Sequence, residues 1–113
     1  MAAFVRGDIV VVPFPFSDLS QAKRRPALVL ASFEGDDLLL CQITSQLTSD
    51  AYSIALEDAD FETGSLKHRS GIRPNRLFTA DRSIVLYRIG RLKPSKLNET
   101  TSTLVAILKP EGQ

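Results

Sequence analysis

Between Gly7 and Thr44 three apolar, β-branched runs follow one another with no helical pattern between them: "GDIVVVPFPF", "PALVLASF" and "LLLCQIT". Strands this close in sequence favour an antiparallel meander curled into a small barrel over a βαβ arrangement. The third run is too continuously apolar to face water on either side. In the first, Pro13 and Pro15 cannot donate ladder hydrogen bonds, so its far end must be an edge or peel into a loop. The connectors are "SDLSQAKRR", a polar loop, and "EGDD", rich in turn-forming residues.

The pattern then becomes more broken. Alternation in "YSIALE" (52–57) predicts a half-exposed fourth strand, and "DADFETGSLKHRSG" reads as a turn-rich excursion. "IRPNRLFT" predicts a fifth strand or extended edge interrupted by proline. "ADRSIVL" suggests a short helical turn with Thr79 as an N-cap. "YRIGRL" is a last strand in which Gly90 hints at a bend. From Pro94 to Leu108 the apolar residues Leu97, Leu104, Val105 and Leu108 fall near helical spacing, Ser95 is placed to cap the start, and Pro110 follows the end. The expected fold is mainly β: a small SH3-like antiparallel barrel of about six strands with short helical turns and a C-terminal α-helix. The 113 residues fit one domain with one core.

Composition narrows the function classes. No apolar run reaches the roughly 18 to 20 residues of a membrane helix, and the N-terminus lacks a cleavage pattern, so a cytoplasmic protein is expected. One cysteine excludes an internal disulfide framework, and one cysteine with one histidine excludes a Cys/His zinc cluster. Cys41, in "LLLCQI", reads as a core filler and His68, in "KHR", as a surface residue. No phosphate-binding glycine loop, dinucleotide fingerprint, zinc-protease helix or serine elbow is present, and no cofactor or metal is expected.

The net charge of +1 conceals a segregation. Between Pro26 and Leu66 there is no Lys or Arg, whereas from Lys67 to Lys96 nine basic residues stand against Asp81 alone. Such separation builds local positive potential in a nearly neutral chain. Lys23, Arg24 and Arg25 add a cluster of the same sign at the mouth of the second strand. Pro26 fixes the backbone at Arg25 in an extended form, and a held guanidinium matches a phosphate with a planar fork of donors. The bland alternative is pairing with a carboxylate of the acidic half. Thr44 and Ser45 end the third strand, where a hydroxyl can donate to a phosphoryl oxygen or simply form a turn.

In order along nearly the whole chain, "GDIVVVPFPFSDLSQAKRRPALVL", "QITSQ" and "RIGRL" resemble the PemK/MazF family of toxins, also typified by Kid. The resemblance implies a single toxin domain over residues 1–113, an SH3-like barrel, a homodimer, and a metal-independent, sequence-specific endoribonuclease acting on single-stranded RNA. It also implies a cognate antitoxin that occupies the RNA groove. The family's catalytic arginine falls on Arg25, and its hydroxyl residue on Thr44 with Ser45 and Gln46 beside it. A further arginine falls on Arg73. Lys23, Arg24, Asn75 and Arg76 are expected to bind RNA, with Phe14, Phe16 or Phe78 available to stack on bases.

The chain departs from its relatives at two places. Ser20 and Leu19 stand where several have a loop glutamate or histidine, the nearest acid being Asp18. Asn75 stands where Kid-like toxins have an aspartate, and an amide cannot take up a proton as a carboxylate does. Two alternatives remain at this level: a gyrase poison resembling CcdB, which has the same fold, or an RNA-binding module without catalysis. The recognition sequence is expected to depend on loops such as Asp60 to Arg73.

Overall fold

A computed structural model describes residues 3–14, 23–45 and 51–110. Seven strands form one sheet: β1 (Asp8–Phe14), β2 (Lys23–Ser32), β3 (Asp37–Thr44), β4 (Ile54–Leu56), β5 (Phe61–Thr63), β6 (Ser70–Asp81) and β7 (Tyr87–Leu92), followed by helix α1 (Pro94–Leu108). Their spatial order is β4-β6-β3-β2-β1-β7-β5, and every neighbouring pair is antiparallel.

The two outermost strands are consecutive in the chain. Only residues 57–60, with one 3-10 turn at Asp58–Asp60, separate β4 from β5. A link that short forces the sheet to roll until its edges approach, giving a curled half-barrel. The seam is held by Glu57 and Asp60, whose carboxylate accepts the Glu57 backbone N–H at 2.8 Å. Helix α1 is tied to the seam through Lys96, which donates to the Ala55 carbonyl at 3.1 Å and lies 3.7 Å from Asp60.

Rolling the sheet buries β1, β2 and β3 on both faces. The inner face gathers Ile9, Leu28, Cys41, Ile43, Leu56, Phe61, Ile72 and Leu92 beneath Leu97 of the helix. The outer face gathers Val10, Val12, Ala27, Val29, Leu38 and Leu40 under Phe4, Phe14, Phe78 and Val85. This double burial accounts for the unbroken apolar runs, since each fully buried aliphatic side chain stabilises by about 1.5–3 kcal/mol. Cys41 is a core filler as expected. Burial pushes its thiol up from 9.0 to about 12, and the thiol donates to the Arg73 carbonyl, 2.9 Å away.

Several local expectations need correction. The strands number seven because "FET" pairs with β7, Phe61 opposite Leu92. Lys23, Arg24 and Arg25 belong to β2, opposite Phe14, Pro13 and Val12, rather than to a loop. β6 is no edge: it runs for 12 residues between β3 and β4. Its proline is absorbed by a bulge, since Cys41 pairs with Leu77 but the next residue, Gln42, pairs with Arg73, so Pro74, Asn75 and Arg76 are extra. The 3-10 turn at Arg82–Ile84 is capped by Asp81, which accepts the Ser83 N–H at 2.8 Å, while Thr79 lies in β6. That backbone N–H, aided by the Ser83 side chain, holds the Asp81 carboxyl below its ordinary range.

Helix α1 keeps the expected bounds, but its N-cap is Lys93, with Pro94 in the first turn and Ser95 inside. Leu97 is buried and Leu104 packs on the core, whereas Val105 and Leu108 are exposed. Gly90 marks a close approach instead of a bend. A Cβ there would lie 2.2 Å from the Thr63 carbonyl, and one on Gly64 (φ +77°) would lie 2.2 Å from the Ile89 carbonyl. Pro13 behaves as expected: β7 pairs β1 only as far as Val11, so the far end of β1 has β2 alone as a paired neighbour. Pro15 lies outside the described residues.

At the start of β1, Asp8 is fully buried. Its Oδ2 accepts the Val5 N–H at 2.9 Å, and its Oδ1 lies 3.0 Å from Arg91 Nε and 3.6 Å from Arg88 Nη1. Gly7 precedes it at φ +101°, the left-handed conformation that glycine adopts without steric cost. The Gly-Asp pair that opens the first strand is thus a structural device: it turns the chain into the sheet and anchors β7.

Candidate nucleic-acid interface

Strand pairing determines which site residues share a surface. Val12 pairs with Arg25 on β2. Ala27 pairs with Gln42, and continuing that register by two residues sets Arg25 across from Thr44. Thr44 pairs in turn with Gly71, and Gln42 with Arg73. Residues directly opposite one another project from the same face of a sheet. Arg25 and Thr44 therefore project from the same outer face, each two residues beyond the last β2–β3 pair, with Gln42 and Arg73 in the next row. Both arginines and Thr44 are half-buried, and the Nε atoms of Arg25 and Arg73 are shielded from solvent.

The bulge in β6 extends this surface. Asn75 and Arg76 are exposed and line a cavity of about 480 Å³ together with Phe14, Gln42, Leu77 and Phe78. Phe14 and Phe78 meet edge to face, ring centroids 4.6 Å apart at 73°. Both expected stacking residues of the described chain thus sit beside the arginine-hydroxyl pair, as part of the outer apolar layer.

A second cavity, also about 480 Å³, opens at the same end of β2 and β3. Arg24, Arg25 and Ser45 border it with Lys67, His68 and Tyr87, over a floor that includes Val11, Ile43 and Ile89. His68 is exposed, as the sequence suggested, yet it borders the same opening as Arg24 and Arg25. Its carbonyl accepts the Ser70 hydroxyl at 2.9 Å, fixing the 65–68 segment to the start of β6. Nothing in the local sequence signals that placement, which depends on the approach of a loop to a strand some forty residues away. Lys23 is exposed at the start of β2.

The structure therefore brings Arg25, Thr44, Arg73, Asn75 and Arg76 to one face and sets Arg24, Ser45 and His68 around a neighbouring opening. Gln46, Phe16, Ser20, Leu19 and Asp18 lie outside the described residues. Among the described residues, no group of three or more His, Cys, Asp or Glu side chains is placed to hold a metal ion, and no helix is long and apolar enough to cross a membrane.

The fold has solved counterparts. An endoribonuclease in complex with its cognate antitoxin, from a mycobacterial species, superposes with a TM-score of 0.77 at 13% identity, covering 98% of this chain and 100% of that one. MazF from Deinococcus radiodurans gives 0.74 at 21% identity, covering 96% and 98%. The Mycobacterium tuberculosis toxin MazF-mt6 gives 0.67 at 15%, covering 88% and 93%. At such identities the likeness establishes the fold. A comparison with curated protein sequences finds no match. The family model for PemK-like, MazF-like toxins of type II toxin-antitoxin systems matches residues 5–108. With that match spanning all seven strands and the helix, the chain belongs to the PemK-like, MazF-like toxin family.

Proposed function

We propose that the protein is a sequence-specific, metal-independent endoribonuclease of the interferase type, cleaving single-stranded mRNA in the cytoplasm as a homodimer and held in check by a cognate antitoxin. The observation that carries the reading is that Arg25 and Thr44 project from one face, at the open end of the β2–β3 hairpin, in a fold shared with a solved endoribonuclease. A cognate antitoxin accompanies the mycobacterial counterpart, and MazE accompanies MazF in a Deinococcus radiodurans complex.

RNA carries its own nucleophile. The ribose 2′-oxygen bonds to the adjacent phosphorus as the bond from phosphorus to the 5′-oxygen breaks, leaving a cyclic phosphate and a 5′-hydroxyl. The 2′-OH proton is released and the leaving oxygen gains one. Arg25 neutralises the charge that builds on the phosphorane and donates toward the leaving oxygen. Thr44 donates to a non-bridging oxygen. Arg73, Arg76, Lys23 and Arg24 follow the phosphate backbone.

Preorganised donors aimed at transition-state charge are each worth about 3–4 kcal/mol. Arg25→Ala should therefore lower the cleavage rate by roughly a hundredfold to a thousandfold, and Thr44→Ala should lower it substantially. The assay is cleavage of a single-stranded RNA by purified protein in EDTA, with a substrate lacking the scissile 2′-OH as the resistant control. Undiminished cleavage by Arg25→Ala would remove the assignment, and dependence on Mg²⁺ would remove the mechanism. Inhibition of DNA supercoiling without RNA cleavage would favour the gyrase-poison reading.

A further inference from the structure

We infer that the cavity between the β6 bulge and the Phe14–Phe78 pair is a base-reading subsite, in which Gln42 and Asn75 select an adenine next to the scissile phosphate. The inference rests on the ribonuclease reading for what happens to the RNA, but the subsite itself is argued from four features of the cavity.

Gln42 comes first. It precedes Thr44 by two residues on β3, so it projects from the same face one row away, within a nucleotide's reach of the proposed phosphate position. Its backbone is clamped between Ala27 and Arg73 on the two flanking strands, which makes it a rigid platform. It is half-buried, and its carboxamide is engaged by no other described residue. A carboxamide carries a donor and an acceptor side by side, complementary to the N6–H and N7 of adenine.

The bulge is the second feature. Pairing shifts by three residues between Cys41–Leu77 and Gln42–Arg73, and this lifts Asn75 and Arg76 out of the ladder beside Gln42. Bulges re-aim side chains next to functional sites. This one brings a second amide and a cation to the same opening, which Phe78 and Phe14 border with aromatic surface. The third feature is size: about 480 Å³ lies within the range of ligand pockets. Fourth, the cation is at the rim: Arg76 is exposed, as suits a contact to the following phosphate rather than to a buried base.

Selection is thereby assigned to the Pro74–Arg76 bulge and the middle of β3, and not to the loop from Asp60 that the sequence had suggested. It also gives Asn75 a role that an amide can fill and a carboxylate base would not.

The test separates binding from cleavage. Short RNAs differing only in the base next to the scissile phosphate, each with a single 2′-deoxy residue that blocks cutting, are titrated by fluorescence anisotropy against wild type, Gln42→Leu and Asn75→Ala. The same RNAs with intact 2′-OH are used for cleavage. Wild type is expected to prefer adenine, and each variant to lose roughly tenfold to a hundredfold of that preference. Asn75→Ala, on the exposed bulge, reports even if Gln42→Leu perturbs the strand.

Unchanged preference in both variants, with wild-type cleavage intact, overturns the subsite and leaves the ribonuclease reading standing. Selective binding lost in the variants, with no cleavage by wild type, overturns the ribonuclease reading and leaves the subsite standing. A wild type without preference at that position overturns the subsite.

Discussion

The buried carboxylate of Asp8 makes an asymmetric prediction about its ion pair. Asp8 is fully buried, whereas the side chains of Arg91 and Arg88 are 39% and 49% exposed. Removing the carboxylate releases two guanidiniums that can turn to water. Removing Arg91 strands a buried negative charge with only the 3.6 Å contact to Arg88 and the Val5 N–H. Asp8→Asn keeps an oxygen for Val5 and loses the charge-assisted contact to Arg91, a cost of about 1.5–3 kcal/mol. Relief of the carboxylate's desolvation offsets part of that, so the net loss should be about 1–2 kcal/mol.

Arg91→Ala leaves the uncompensated buried charge, a class of change that costs about 3–5 kcal/mol. Arg88 can move in, which places the expectation near the lower end. The double variant should cost less than the sum of the two singles, because the neutral amide no longer needs a cation. Urea unfolding followed by far-UV circular dichroism measures all three, provided the m-values agree. If Asp8→Asn proves more costly than Arg91→Ala, the stranded-charge argument is wrong. Asp8 would then matter for its hydrogen bond to the Val5 turn rather than for its ion pair.

Other perturbations test other parts of the fold. Gly90→Ala would force a Cβ to 2.2 Å from the Thr63 carbonyl, a backbone contact that cannot swing aside. Overpacking of this kind costs about 1–3 kcal/mol or more, and hydrogen exchange should show β5 loosened while β2 and β3 stay protected. Cys41 keeps its proton in the folded protein up to about pH 12, whereas the unfolded thiol loses it near 9.0. Stability should therefore fall as pH rises through that window, by at most about 1.4 kcal/mol per pH unit, and less steeply in Cys41→Ala. A native thiol labelled rapidly at pH 8 would contradict its burial.

The parts of the molecule legible in the sequence are those whose signal is local. β1, β2 and β3 follow from apolar runs bounded by turn residues, because burial on both faces leaves a continuous pattern, and α1 follows from its spacing and flanking prolines. β5 was hidden because Phe61–Thr63 is three residues in a polar segment, paired only once the sheet has rolled. β6 looked broken because Pro74 forfeits a ladder hydrogen bond, a loss that the bulge accommodates without ending the strand. Arg25 and Thr44 were recognisable by type and position. Their adjacency on one face is a matter of register, which no single strand encodes. The approach of His68 to the arginine cluster, and of Asn75 to Gln42, arises from tertiary folding alone.

The β2–β3 turn lies at the opposite end of its hairpin from Arg25 and Thr44. Phe33 N–H bonds to the Asp37 carbonyl, and Gly35, at φ +90°, has nothing within 4 Å of where a Cβ would be. Seven residues of extended chain from Leu38 to Thr44 put roughly 20 Å between this tip and the arginine-hydroxyl pair. A fluorophore or affinity peptide spliced in at Gly35 would thus give experimenters a handle for tethering the protein to a surface, with the end that carries Arg25 and Thr44 left turned toward solution.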